Sequence, residues 1–383
     1  MTSGADAARV GERRRGSRFE KRSDVPLGVQ IAVPILAVAG GLAFGAVTLI
    51  LGGHSVSAAY GAMWDASFGT VDGFEQTLIR AMPLILTGLA VTIALRMNVW
   101  NVGAEGQMAL GAIGASFVAF QFGGLSRFWL LVAMFLGGCV AAGVWALIAA
   151  VPRAVIGLNE IITTLFLNYI GLLLLSALVN GPWKDPTVSG FAYSKPLPAD
   201  AALPFIGSSD VTIGLLIAVA VVVLAWWFLD RTRTGFSLDI AGGNLRAARY
   251  LGMGVRRRIV VVMVLAAAVA GIAGVIQLLT SSGRLQDGLT GGYGYTGILV
   301  TFLARRRVAP TVMVAILFAG LLAGAAALQS TGIPSSIAQV VQAVIIIFVL
   351  AGEVLSGYRL RSRSAAAPVA LTGGPLSVPA GGA

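Results

Sequence analysis

Apolar stretches long enough to cross a bilayer alternate with short polar or glycine-marked breaks along most of this chain. A helix needs about twenty apolar residues to span the hydrocarbon core. On that ruler ten spans are predicted, over residues 27–51, 77–95, 104–122, 128–151, 160–179, 211–229, 259–280, 291–304, 309–328 and 336–354. The eighth, GGYGYTGILVTFLA, is short and glycine-rich, which predicts a broken or tilted helix. The expected fold is therefore all-α, a polytopic membrane protein with both termini cytoplasmic. Residues 1–26 read as a basic tail, 27–356 as the transmembrane domain, and 357–383 as a low-complexity Ala/Gly/Pro tail. The first apolar run is longer than a signal-peptide core and shows no small-residue cleavage pattern, so it reads as an uncleaved span.

Composition agrees. Of 383 residues, 57% are hydrophobic and only 11% charged, with a mean hydropathy of +0.87. Soluble domains are about a quarter charged, so lipid must face much of this surface. Fifty glycines suit close helix packing in a bilayer. The net charge of +11 does not point to nucleic acid, because the basic residues cluster beside the spans. Positive charge favours the cytoplasmic side, and the loops that ten spans place there hold 22 of the 27 Lys and Arg. The first outer loop, Gly52–Glu75, carries three acids and no Lys or Arg. Adding or deleting one central span would spoil this asymmetry.

Several chemistries are excluded or left without support. No Gly-Lys-Ser/Thr phosphate cradle exists, since the three lysines follow Glu20, Trp183 and Ser194. The chain has one histidine, His54, and one cysteine, Cys139, so neither a metal centre nor a catalytic residue is expected. Cys139 reads as a packing residue and His54 as a solvated loop residue. Any uphill transport must then draw on a separate ATPase or an ion gradient.

Polar residues within apolar stretches are functional candidates by default. The first cluster, RMNVWNVGAEGQMALG, holds Asn101, Glu105 and Gln107; a plainer reading makes Asn101 the cap of the third helix. The second, GLNEIITTLFLNYI, holds Asn159, Glu160, Thr163 and Asn168, with Asn159, Thr163 and less closely Asn168 on one face. Its plainer reading is an N-cap with interhelical hydrogen bonds. Asp287, Tyr293 and Tyr295 border the eighth span, and Arg80 lies just inside the second. Two soluble segments are long enough to act: an outer loop over 180–210 and an inner loop over 230–258.

These motifs resemble a known family. MNVWNVGAEGQMALGA is similar to the Asn-(Ile/Val)-Gly-Ala-Glu-Gly-Gln stretch of ATP-binding-cassette (ABC) importer permeases of the ribose and branched-chain amino acid type. GLNEIITTLFLNYIG resembles the signature of the branch that imports nucleosides with a basic-membrane-protein-type lipoprotein, and AGGNLRAARYLGM resembles that branch's inner-loop motif. Trp100 stands where Phe or Leu is more usual. The resemblance implies a permease without its own ATPase. It implies a cytoplasmic ABC ATPase that uses the ATP, a second permease subunit, and an extracytoplasmic substrate-binding lipoprotein, in a bacterial plasma membrane. No cofactor is implied for this chain. Gly243, Asn244, Ala247, Ala248, Tyr250 and Gly252 match the inner-loop motif and become the expected ATPase-coupling element. A basic juxtamembrane loop binding anionic membrane lipid is the plainer reading there.

A nucleoside is polar, uncharged and flat, so its pathway needs amides and hydroxyls without a strong fixed charge. Asn101, Gln107, Asn159, Thr163 and Asn168 would supply these. Two alternatives stay open: the same machine importing a sugar such as ribose, and an ion-coupled transporter using Glu105 or Glu160 as a proton relay.

Overall fold

The computed structural model describes residues 18–21, 27–188, 190–356 and 358–361. Most of the predicted basic tail and of the C-terminal tail lies outside the described residues. The described residues are mostly helical: α1 (Leu27–Leu51), α2 (Val56–Trp64), α3 (Val71–Leu95), α4 (Ala104–Gln121), α5 (Arg127–Ile156), α6 (Glu160–Asn180) and α7 (Gly214–Arg231). Then follow α8 (Arg233–Gly243), α9 (Leu245–Tyr250), α10 (Val255–Thr280), α11 (Tyr293–Leu303), α12 (Val308–Ser330) and α13 (Ser335–Ser356). Each of the ten predicted spans coincides with a helix. Among the described residues seven helices are long and apolar enough to cross a membrane, and Leu36–Leu51 and Tyr293–Leu303 form shorter apolar helices. The protein is thus a multi-pass helical membrane protein.

The chain divides into two compact units, one comprising Met1–Gly40 with Ile347–Ala383 and the other Gly41–Ile346. In the first, strands β1 (Arg18–Lys21) and β2 (Tyr358–Arg361) pair antiparallel, and Gly352 lies close against Ala37.

In the second unit α3 and α10 form the centre. The most apolar window of α3 is 83% buried and that of α10 61%, whereas α6 and α7 bury only 28% and 22% of theirs. Water does not drive this packing inside lipid; close backbone approach does. A methyl group on Gly274 of α10 would stand 2.0 Å from the Met108 carbonyl oxygen of α4. One on Gly111 of α4 would stand 2.4 Å from the Gly271 carbonyl oxygen. The outer helices turn bulky apolar side chains such as Phe166, Leu173, Leu224 and Trp227 outward, as a lipid-facing ring requires.

One expectation changes and another holds. The stretch predicted as a first outer loop, 52–75, is mostly helical. Ser55 and Thr70 cap α2 and α3, and a π turn, Asp65–Gly69, joins them. The Ser67 hydroxyl donates to the Met63 and Gly320 carbonyls at 2.6 and 2.7 Å, seating the turn on α12. Its apolar density is too low for a span, but tertiary contact makes it helical. The eighth span is an 11-residue helix, α11, about 16 Å long. A non-helical segment full of left-handed glycines (Gly283, Gly288, Gly291, Gly292) leads into it.

Ion pairs tie the loops at each end of the bundle. At one end Arg96, after α3, meets Asp230 and Asp239 of α7 and α8. At the other, the Asp210 amide donates to Glu75 at 2.8 Å, and Arg284 pairs with Asp185 at 2.9 Å.

Candidate functional site

The first polar motif folds into a closed joint between α4, α6 and α11. After α3 the chain turns through exposed Asn98, whose φ is +54°, so the break between 98 and 103 is a tight turn linking two helices. Asn101 is not the cap of α4; that position is Gly103. The Asn101 and Gln107 side-chain amides instead pair reciprocally at 2.9 and 3.0 Å, and the Gly103 amide donates to Asn101 at 3.2 Å. Asn168 of α6 accepts from the Gly106 amide at 2.8 Å and donates to the Val102 carbonyl at 2.7 Å.

Glu105 reaches across to α11. Its two carboxylate oxygens accept from the Gly292 and Gly294 amides at 2.9 and 2.6 Å. An N-terminus with free N–H groups and a positive dipole end suits a carboxylate, so α4 supplies the cap that α11 lacks from its own residues. A Cβ on Gly294 would lie 2.3 Å from the Glu105 nitrogen; only glycine permits that approach. Asn101, Glu105, Gln107 and Asn168 are all at most 2% exposed.

The second motif splits. Nine residues of helix turn Asn168 half a revolution from Asn159, which corrects the shared face expected from the sequence. Glu160, Thr164 and Asn168, four apart, form the buried stripe. Glu160 pairs with Arg153 at 3.1 Å and accepts from the Trp100 amide at 3.3 Å. Asn159 is exposed and caps α6 by accepting from the Ile161 amide at 3.0 Å. Thr163 is half-buried, with its hydroxyl donating to the Asn159 carbonyl at 3.0 Å.

The inner-loop motif forms α8 and α9. Asn244 caps α9, accepting from the Arg246 and Ala247 amides, each at 3.0 Å. Ala248 is fully buried and joins the apolar cluster of Leu238 and Val255, which holds α9 against the bundle. Gly243, Asn244, Ala247, Tyr250 and Gly252 face outward, Tyr250 at 92% exposure. Gly252, at φ +73°, makes the turn into α10.

The structure also assembles a cavity that no sequence motif marks. Five glutamines (Gln277, Gln286, Gln329, Gln339 and Gln342) and Arg80 line a space of about 440 Å³, at the end of the bundle where the Arg284–Asp185 pair lies. Tyr293 also borders it. The available signal was polarity inside apolar spans, with Gln339 and Gln342 one turn apart, but five elements must converge before these residues share a site. Among the described residues no aspartate or glutamate lines the cavity. At the opposite end a second space, about 680 Å³, is edged by Arg96, Asp230, Asp239 and Arg305–Arg307.

A lipid-embedded bundle with a polar cavity, and no phosphate-cradling loop of its own, defines the membrane component of a transport system. The chain belongs to the family described as branched-chain amino acid transport system / permease component, whose model matches residues 73–350. It is 35% identical over 372 residues to the glucose ABC transporter permease protein TsgB13 of Haloferax volcanii, covering 93% of this chain and 98% of that one. It is 32% identical over 326 residues to the guanosine ABC transporter permease protein NupP of Bacillus subtilis (83% and 92% covered). With the nucleoside ABC transporter permease protein NupB of Lactococcus lactis subsp. cremoris the identity is 28% over 335 residues (84% and 90% covered). The chain is a permease subunit of an ABC importer.

Proposed function

We propose that this permease passes nucleosides across a bacterial plasma membrane in ten crossings, with both termini cytoplasmic. The observation that carries the cargo is the cavity lined by five glutamine amides and Arg80, in a chain similar to a guanosine and a nucleoside permease. A base edge and a ribose need donors and acceptors, and a primary amide offers both. The even number of crossings is supported by the pairing of β1 with β2, which brings the two ends of the chain together. Arg96 meeting Asp230 and Asp239 supports the grouping of the basic loops at one end.

A separate cytoplasmic ABC ATPase supplies the energy and docks on the outward face of α8 and α9, where Tyr250, Ala247 and Gly243 stand open. A lipoprotein delivers the solute at the opposite end, and a second permease subunit completes the pathway. Asn101, Glu105, Gln107 and Asn168 frame that pathway by fixing α4, α6 and α11, rather than by touching solute. Glu105 and Glu160 are already engaged by backbone amides and by Arg153, which weighs against a proton relay.

A sugar is the second reading, favoured by the similarity to a glucose permease; sugar hydroxyls suit the same amides. The test is uptake of labelled guanosine, uridine, ribose and glucose into proteoliposomes holding the whole importer, with the ATPase intact or disabled. Nucleoside uptake that stops with ATP hydrolysis is expected. ATP-driven uptake of sugar alone overturns the cargo, and uptake driven by a proton gradient without the ATPase overturns the machine.

A further inference from the structure

Among the described residues Arg80 is the one cation lining the cavity, and its Nε has no partner. The residue sits within α3. Tyr293 lines the same cavity beside it. The Arg80 Nε itself is buried. Arg80 is half-buried, and a guanidinium within a membrane bundle ordinarily finds a carboxylate, because an uncompensated charge there is costly. Here the cavity offers none.

The glutamines are equally open. Among the described residues, Gln277, Gln329, Gln339 and Gln342 have side-chain amides free of hydrogen bonds to other protein groups, and Gln286 meets only the Ser282 hydroxyl at 3.4 Å. Gln277, Gln286 and Gln342 are half-buried and Gln329 and Gln339 exposed, unlike the buried and mutually satisfied groups of the α4–α6–α11 joint. A group of amides and a guanidinium converging on about 440 Å³ is instead a built receptor for a polar guest. Small-molecule pockets of roughly 300–1,000 Å³ hold ligands of this size.

The guest's chemistry follows from Arg80. A guanidinium only donates, and in a fixed fork it prefers two acceptors side by side, such as the carbonyl oxygen and ring nitrogen of guanine. Adenine presents an amino group where guanine presents that oxygen. We propose that this cavity is a solute station in the permease, and that Arg80 selects nucleosides whose base carries a carbonyl, such as guanosine, over adenosine. The inference rests on the nucleoside reading above. It adds the residue that discriminates among nucleosides and the element of the base it reads.

The experiment uses the complete importer in proteoliposomes, with binding protein saturating for each solute, and compares ATP-driven uptake of guanosine and adenosine by the native chain and by Arg80→Gln. Loss of one bidentate pair corresponds to about tenfold. Guanosine uptake is expected to fall about tenfold while adenosine uptake changes less than twofold. Parallel loss of both would make Arg80 a structural residue, and no change in either would remove it from the pathway; each overturns the inference while leaving nucleoside transport intact. A native importer that carries sugar and no nucleoside would instead overturn the cargo reading and this inference together.

A second measurement does not depend on the Arg80 variant folding. With Cys139 replaced by Ala, Gln342→Cys provides a single thiol in the cavity wall of the importer. Its labelling by a membrane-impermeant maleimide is expected to slow severalfold with guanosine and little with adenosine. Equal labelling rates with and without guanosine would show that the cavity does not hold the solute.

Discussion

Two polar regions of this bundle answer the cost of polarity in lipid in opposite ways. In the joint of α4, α6 and α11, Asn101 pairs with Gln107, Asn168 with two backbone groups, and Glu105 with the N-terminus of α11, so its groups are buried and mutually satisfied. In the cavity, Arg80 and five glutamines surround open space. The contrast separates polar residues that build the frame from polar residues kept free for a guest. The frame carries the recognisable motif, because a joint of three helices needs particular residues at fixed spacing. The cavity wall needs only amides that point the right way, which a sequence can supply from many places.

The comparison breaks most sharply at Glu105. Glu105→Leu removes two charge-assisted hydrogen bonds and leaves buried amides of α11 unpaired. A loss of about 3 kcal/mol of stability is expected, read as a lower detergent-denaturation midpoint together with lost uptake. A stable Glu105→Leu protein that has lost uptake would move Glu105 from frame to pathway. Asn168→Leu is the next test. It deletes one bridge to α4, and about 2 kcal/mol is expected, again with stability and uptake falling together. Gln339→Leu with Gln342→Leu should do the reverse: unchanged thermal stability, with uptake reduced severalfold at a fixed amount of inserted protein. Matching losses in both would make the glutamines part of the frame. Asn159→Ala should cost only the cap of α6, about 1 kcal/mol, with little change in transport.

The smallest effect concerns the rim of the cavity, where Asp185 ties the 181–213 segment to Arg284. The Thr187 hydroxyl and amide, and then the Arg284 guanidinium, hold the Asp185 carboxyl below its ordinary value of 3.8. A depressed folded-state value means that the contact stabilises the rim fully above that ordinary value and is lost as pH falls through the lower folded one. Acid well below pH 3.8 should therefore speed hydrogen exchange in the 181–213 segment. Asp185→Asn should show fast exchange at every pH. A rim whose exchange is the same in both proteins would exclude the ion pair as its tie.

The helical class, the membrane-embedded character and the membership of a permease family were legible in the chain, because hydrocarbon imposes length and apolarity residue by residue. The inner-loop motif falls on α8 and α9, where the structure makes Asn244 the cap of α9. Less was legible where several elements meet. Asn101 looked like a cap and became half of an amide pair. Asn159 and Asn168 looked like companions, yet one is exposed and the other buried on the opposite face. The 52–75 stretch read as a loop, but Ser67 anchors a helical turn to α12, more than two hundred residues away.

The sequence by itself therefore determined the solvent, the helices, the absence of an ATP-binding loop and the family, since each is a local or compositional property. Only the tertiary structure decided which polar residues satisfy one another and which stay open. Arg80, Gln277, Gln286, Gln329 and Gln342 come from separate elements, and no local pattern states that their side chains share one space. The physical reason is that hydrogen-bond satisfaction is a property of neighbours in space. In a bundle held by close backbone contact, those neighbours are set by where Gly111, Gly274 and Gly294 let the helices touch.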